Sequence, residues 1–401
     1  MLEGTLTTAR LRAALALALA ATAVAAPAEA YGAGWVIHGR GFGHGVGMSA
    51  YGAYGLARHG SEYRQILARY YQHTRLGHVH ARHAKVLLGS GLGAVLFAKA
   101  SAACGVHLRA HRAYQFVASG NGVALASKGG RTIKSCGPSG GASGGPIHVL
   151  GRGTYRGRIV ARGGRGIDLV NRVTLEGYVE GVVPNEFPAS WPQPALRTEA
   201  VAARTFAIAG PGHGTFDVYD DTRSQVYGGK GTETPATDRA AHASRGKVVT
   251  YRGRPVLTYY SSTSGGHTED VQFAFLGATP EPWLEGVRDP YDRLSPYHTW
   301  KRTLSAGAMA SELSGLFSGR LDGIRILKHG VSPRIVYARV VGSRGSSRVS
   351  GPTLQGRLGL MSTWERFKRL GRRVKDTESL APPASAVPGG GVAPLGARPR
   401  R

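Results

Sequence analysis

Apolar residues along this chain fall into short runs broken by glycine, serine and basic residues, and only a few stretches carry helical spacing. Runs of this kind recur at residues 86–88, 95–98, 106–108, 116–118, 123–126, 147–150, around Tyr155, and at 158–161 and 167–170. Each is long enough for a strand, and no segment between them could hold a crossover helix, so antiparallel pairing is expected. Residues 61–71 read differently. Tyr63, Ile66, Leu67, Tyr70 and Tyr71 fall near helical spacing, with Ser61 placed to cap. A second helix is predicted to end near Ala209, with Ala195, Leu196, Ala200, Ala203, Phe206 and Ala207 on its apolar face. Ser190 and Gln193 have capping-box spacing at its start, and Pro192 suits a first turn. Further on, residues 248–251 and 256–260 predict a hairpin about Gly253, 309–316 a small helix, and 324–327 and 336–341 two more strands. The fold class is therefore α+β: twisted antiparallel sheets with a few packed helices.

Two segments escape this pattern. Residues 38–49 (HGRGFGHGVGMS) are too glycine-dense for a helix and suggest special dihedrals or a close approach by another group. Residues 184–192 (PNEFPASWP) read as a proline-braced loop that places Glu186 just before the second helix. The resulting division is 31–80 for the glycine-rich motif and first helix, 81–170 for a strand-rich module, 171–300 for a central core and 301–370 for a small α/β segment. Residues 371–401, rich in proline and glycine, are expected to be disordered.

Composition adds location and partners. Of 401 residues, 42% are hydrophobic and 19% charged, enough apolar content for one large core or two modest ones. Residues 1–30 read as an export signal: Arg10 and Arg12, an apolar run, then Ala28-Glu29-Ala30 as a small-x-small cleavage site. The exported protein would begin near Tyr31 and work outside the membrane or at the cell wall. A formal charge of +27 draws it toward polyanions. Export favours an anionic envelope polymer over nucleic acid, and neither zinc-finger spacing nor a dinucleotide fingerprint is present. Cys104 and Cys136 lie where a disulfide is chemically permitted; two buried thiols are the other arrangement.

Five blocks together resemble the SpoIID/LytB family, named for a sporulation stage II protein and an amidase enhancer. They are residues 178–192 (YVEGVVPNEFPASWP) running into 195–207 (ALRTEAVAARTFA), 224–229 (SQVYGG), 262–269 (STSGGHTE), the glycine-rich 39–60, and 358–364 (LGLMSTW). The resemblance implies a lytic transglycosylase. Such an enzyme cuts the bond after N-acetylmuramic acid in peptidoglycan strands stripped of stem peptides, and leaves a 1,6-anhydro end. It also implies an alternative, a non-catalytic enhancer of a wall amidase. Glu186 matches the family's catalytic glutamate, and it would need an apolar setting to hold a proton near neutral pH.

Around it, Glu199 is the rival acid; many members carry Gln there, which points to hydrogen bonding. Arg204 is expected to pair with Glu199 or to anchor the Glu186 loop. His38, His44 and His267 are candidates for a polar wall, and Gln225 and Ser264 lie in matching blocks. Trp191, Tyr227 and Tyr260 are candidate sugar-binding aromatics, with Arg40 for a sugar or wall carboxylate. Some members hold zinc near the block matching 259–267. Here Tyr260, Ser261 and Ser264 stand in that region and only His267 matches, so no metal and no cofactor are expected. In the sporulation protein the block resembling 39–71 follows the glutamate, so its position here implies a permuted order.

Overall fold

The computed structural model describes residues 34–80, 82–371, 375–378 and 380. The short apolar runs pair as strands. Among the described residues, one sheet runs in the order Val218–Tyr219, His83–Leu92, Gly166–Thr174, Arg158–Gly164, Ser139–Ser143, Ala102–Ala103, Val106–His107. A second runs Thr132–Ser135, Gly122–Ser127, Tyr114–Ser119, Ala94–Ala98, Ile147–Val149, Gly153–Tyr155. All these pairs are antiparallel except Val218–Tyr219, which lies parallel to His83–Leu92. Within Arg158–Gly164, Ile159 and Ala161 are buried while Arg158 and Arg162 are exposed, the two-residue period that fixes which face packs inward. Cys104 and Cys136 form a disulfide that ties the edge of the first sheet to that of the second. The cysteines are 32 residues apart, a loop whose closure stabilises the fold by about 3–4 kcal/mol.

Two buried cores organise the chain. Met48 and Tyr70, Leu88 and Phe116, and Tyr178 and Leu196 all belong to the larger one, so the segments 31–80, 81–170 and 171–300 share a single interior. The smaller is built from Trp35 and Ile37 together with Trp300, Leu304, Ile335 and Leu354. Trp35–Arg40 lies between Thr299–Leu304 and Glu365–Arg369, antiparallel to both. The first and last strands of the described residues are thus neighbours, the geometry that lets a block move from one end of a chain to the other.

The glycine-rich segment is the passage between the cores. Gly41, Gly43, Gly45 and Gly47 all take positive φ. A Cβ on Gly45 would stand 2.5 Å from Nε of the buried Arg334, so side chains are excluded there on two counts. Met48–Ser49 then pairs with Tyr260–Ser261, and Ser49 Oγ accepts from the Gly52 N–H to start helix α1, Ala50–Arg58. Helix α2 is Tyr63–Tyr70; its N-cap is Glu62 rather than Ser61, because the Glu62 N–H donates to Gln65 Oε1 at 2.8 Å.

Helix α3, Leu175–Glu186, corrects the expected loop: Glu186 is its last residue, with Pro184 inside the final turn. Proline removes one N–H there, but Phe187 N–H still reaches the Val183 carbonyl. Asn185 Nδ2 donates to the Gly181 carbonyl at 2.7 Å, so the turn stays stitched. Helix α4, Gln193–Ala209, is capped by Pro192 without a side-chain bond; Gln193 Nε2 donates instead to the Ala236 carbonyl of α5, Pro235–Ala243. The hairpin about Gly253 is present, with Tyr251 facing Arg254 and both Arg252 and Gly253 at positive φ, as a two-residue turn requires.

Past residue 370 the chain is more ordered at first than its composition implies. Thr377 N–H donates to the Thr303 carbonyl, Asp376 accepts from the Ser305 N–H, and Leu380 packs on the smaller core. Polar capping of this kind leaves no mark in a hydropathy pattern. The export signal and the rest of the tail lie outside the described residues. Among the described residues no helix is long and apolar enough to cross a membrane.

Candidate functional site

Helices α3 and α4 pack side by side, and the end of their interface holds two carboxyls. Glu186 is 3% exposed, and its Oε1 accepts the Val226 N–H at 2.6 Å. Tyr178, eight residues earlier on α3, donates its hydroxyl to Gln225 Oε1 at 2.8 Å. Gln225 Nε2 donates in turn to the Tyr260 hydroxyl at 2.8 Å. The 224–227 segment therefore supplies Glu186 with a backbone donor and links two buried phenols through one amide.

Glu199, on α4, is fully buried and neither carboxyl oxygen makes a hydrogen bond. Burial first, and then the charge of Glu186, push its carboxyl well above the ordinary range. The Tyr260 hydroxyl is close enough to offset this in part without closing a hydrogen bond. Tyr178 and Tyr260 are both raised well above the usual phenol value, by burial first and then by Glu186. Tyr71 is raised by burial and then by Glu199. Burial thus favours the protonated form both of Glu199 and of the phenols around it.

An aromatic cluster adjoins this end of α3. Phe187, directly after Glu186, meets Trp191 edge-on at 5.0 Å. Trp191 stacks on Tyr54 at 4.6 Å and meets Tyr51 at 5.1 Å. Tyr51, Tyr54 and Trp191 are only partly buried, and the Tyr51 N–H donates to the Ser262 carbonyl. Tyr54 went unread in the sequence; its three-residue spacing from Tyr51 on a glycine- and alanine-rich helix was the available signal.

The remaining candidates have other places. Arg204 is fully buried and bonds Glu176 through Nε and Nη2 at 3.0 and 2.7 Å, and it also donates to the carbonyls of Ala200, Ala241 and Lys247. It joins neither Glu199 nor the Glu186 carboxyl; it clamps the opposite end of α3. Tyr227 is 4% exposed, stacks on Tyr178 at 5.3 Å and donates to Asn171 Oδ1, so it is core rather than a sugar platform. Tyr260 is likewise buried, as a wall of the carboxyl pair.

His38 is exposed on the strand Trp35–Arg40. Arg40 contacts His298 at 2.5 Å and lies over Trp364, in the neighbourhood of the smaller core. His44 accepts the Val46 N–H at Nδ1 and lies against Phe275 and Tyr259; burial and then Arg334 hold it down to about 3, so it is neutral. His267 Nδ1 pairs with the Thr268 carbonyl, and Ser264 Oγ donates to Asp289. These contacts belong to the wall between the two cores. The zinc positions do not form a ligand set: Ser264 and His267 are engaged as described and both cysteines are bridged. Among the described residues no group of three or more His, Cys, Asp or Glu is placed to hold a metal ion.

Antiparallel sheets carrying a two-helix layer with two buried carboxyls define an α+β protein with a buried acidic site. Residues 163–251, which contain both helices, match the family model described as SpoIID, Stage II sporulation protein. The chain is 30% identical over 234 residues to Stage II sporulation protein D of Bacillus subtilis, covering 52% of this chain and 64% of that protein. It is 39% identical over 132 residues to the Amidase enhancer of the same organism, covering 32% of this chain and 17% of that protein. An uncharacterized protein of Brachyspira hyodysenteriae is 35% identical over 150 residues, covering 36% of this chain and 40% of that protein. The chain thus spans less than two thirds of the length of each of these relatives. The family model and these relatives together support the SpoIID/LytB family for the matched region.

Proposed function

We propose that this protein works at the bacterial cell wall as a lytic transglycosylase on peptidoglycan glycan strands, with Glu186 as its single acid and base. The observation that carries this reading is the setting of Glu186: a carboxyl at a helix end, 3% exposed, anchored through Oε1 by the Val226 N–H and neighboured by a second buried carboxyl and buried phenols. Protonated Glu186 gives its proton to the leaving glycosidic oxygen as positive charge develops at the anomeric carbon. The same carboxylate then takes the proton of the sugar's own 6-hydroxyl as that oxygen closes the anhydro ring. No water attacks, so no second carboxylate is needed to activate one. The half-buried Trp191 and Tyr54 offer flat apolar faces beside the site, and the charge of +27 would hold an exported protein to an anionic wall.

The test is incubation with denuded glycan strands and mass analysis of the products. The wild type should release 1,6-anhydro-muramic ends, and Glu186→Gln should lower the rate by about 10²–10⁴-fold. The second reading, a non-catalytic enhancer of a wall amidase, is favoured by the relative of that name. It replaces the first if the wild type releases no anhydro ends yet accelerates an added amidase, and if Glu186→Gln does so equally.

A further inference from the structure

The smaller core is covered by a four-stranded sheet in the order Phe317–Ser318, Gly345–Ser350, Ile335–Gly342, Leu321–His329. Its inner face is apolar: Ile326, Ala338 and Val349 lie across from one another and pack on that core. The adjacent residues point the other way. Arg325, Arg339 and Arg348 face one another directly across three strands, and all three are exposed. Strand spacing puts these three positive side chains on a line about 10 Å long. Like charges directly opposite in a sheet are destabilising, and nothing in the sheet offsets them. No ion pair among the described residues involves any of the three. The four strands contain one acid, Asp322, and Arg320 holds it at 3.2 Å. A similar row, Arg158, Arg172 and Lys85, crosses the sheet that carries Gly166–Thr174, but it ends on Asp217, 3.3 Å from the Lys85 ammonium. The arginine row has no such partner.

We infer that the outer face of this sheet is a docking surface for a phosphate-bearing polymer of the cell wall, held by Arg325, Arg339 and Arg348. Each guanidinium presents a planar fork of N–H donors that fits a phosphate through two hydrogen bonds. A chain of repeated anions laid along the row relieves the repulsion at all three positions together. Arg348 lies over the Tyr337 ring at 3.9 Å, which holds one of the forks in a fixed plane. The face is an open strand surface, so it suits an extended polymer better than a small ion. It is built on the smaller core, whereas α3 and α4 are built on the larger, so one surface can anchor the protein while the other site works on glycan. This inference rests on the proposed place of the protein at the wall and not on cleavage.

Fluorescence anisotropy of a labelled poly(glycerol phosphate) chain, titrated with the full protein over a range of salt, tests the surface without any cleavage. Combining Arg325→Ser, Arg339→Ser and Arg348→Ser should weaken binding about tenfold or more and make the log–log salt dependence shallower by about two to three. The melting temperature should not fall, because the change removes like-charge contacts from an exposed face. Arg109→Ser, Arg112→Ser and Arg131→Ser together remove the same charge from exposed positions of the strand-rich module. That control should change the affinity by less than about twofold. Equal losses in the two triple variants, or no binding by the wild type, overturn the inference. Tighter binding to an oligodeoxynucleotide of equal phosphate number also overturns it, since the face would then be a nucleic-acid surface. Glu186→Gln should bind the polymer as the wild type does, so a protein that binds without cleaving ends only the enzymatic reading, and one that cleaves without binding ends only this one.

Discussion

The interface of α3 and α4 carries acidic side chains at both ends, and the two ends treat them in opposite ways. At the start of α3, Glu176 meets the fully buried guanidinium of Arg204 in a two-pronged ion pair and also accepts the Gly246 N–H, while Arg204 donates to nearby carbonyls. At the finish, Glu199 is buried without a hydrogen bond and in the field of a second acid. The first arrangement turns a buried charge into a clamp. The second leaves a carboxyl whose burial favours its protonated form. A helix layer that is rigid at one end can hold an unfavourable group in place at the other.

The contrast can be broken most sharply at the clamp. Arg204→Ala should cost about 3–5 kcal/mol in urea denaturation, since it strands Glu176 and three carbonyls together. A cost under 1 kcal/mol would mean that the clamp does not hold the layer. The Glu199 end should respond to pH instead. The folded state raises the Glu199 carboxyl above its ordinary value of 4.5, so the native protein binds more protons than the unfolded chain above that pH. Stability present at acidic pH is therefore lost as pH rises through the raised value, by up to about 1.4 kcal/mol per pH unit. Glu199→Gln should flatten that slope, measured as denaturation midpoints between pH 4 and 8, whereas Arg204→Ala should leave it in place. The smallest effect is expected beside the site: Tyr54→Ala removes the ring stacked on Trp191, costs about 1 kcal/mol, and leaves the pH slope untouched.

Much of the fold was legible from local pattern because strands and helices leave a period in the order of side chains. The runs at 95–98, 116–118 and 123–126, the α4 face from Ala195 to Ala207 and the turn at Gly253 all express such periods, and the structure contains each of them. The end of α3 was misread as a loop because Pro184 signals a break, whereas the side chain of Asn185 and the N–H of Phe187 help to keep that turn closed. Ser190 had the right spacing for a cap but lies before a proline that starts the helix unaided.

Polar partners were another matter. Residue order told which acids and arginines are present, and nothing in it distinguishes an Arg204 that meets Glu176 from one that meets Glu199. Tyr227 reads as readily as a sugar platform as it does as core. Those choices depend on contacts between residues dozens of positions apart, and a repeating pattern carries no information about what lies across such a gap. Chain chemistry therefore settled the elements, the apolar faces and the presence of a lone glutamate in a proline-rich context. Packing of α3 against α4 and the 224–227 segment decided which carboxyl is clamped, which is buried without a hydrogen bond and which receives the Val226 N–H. The reason is physical: burial and distance set the energy of a charge, and both come into being only when the chain has closed on itself.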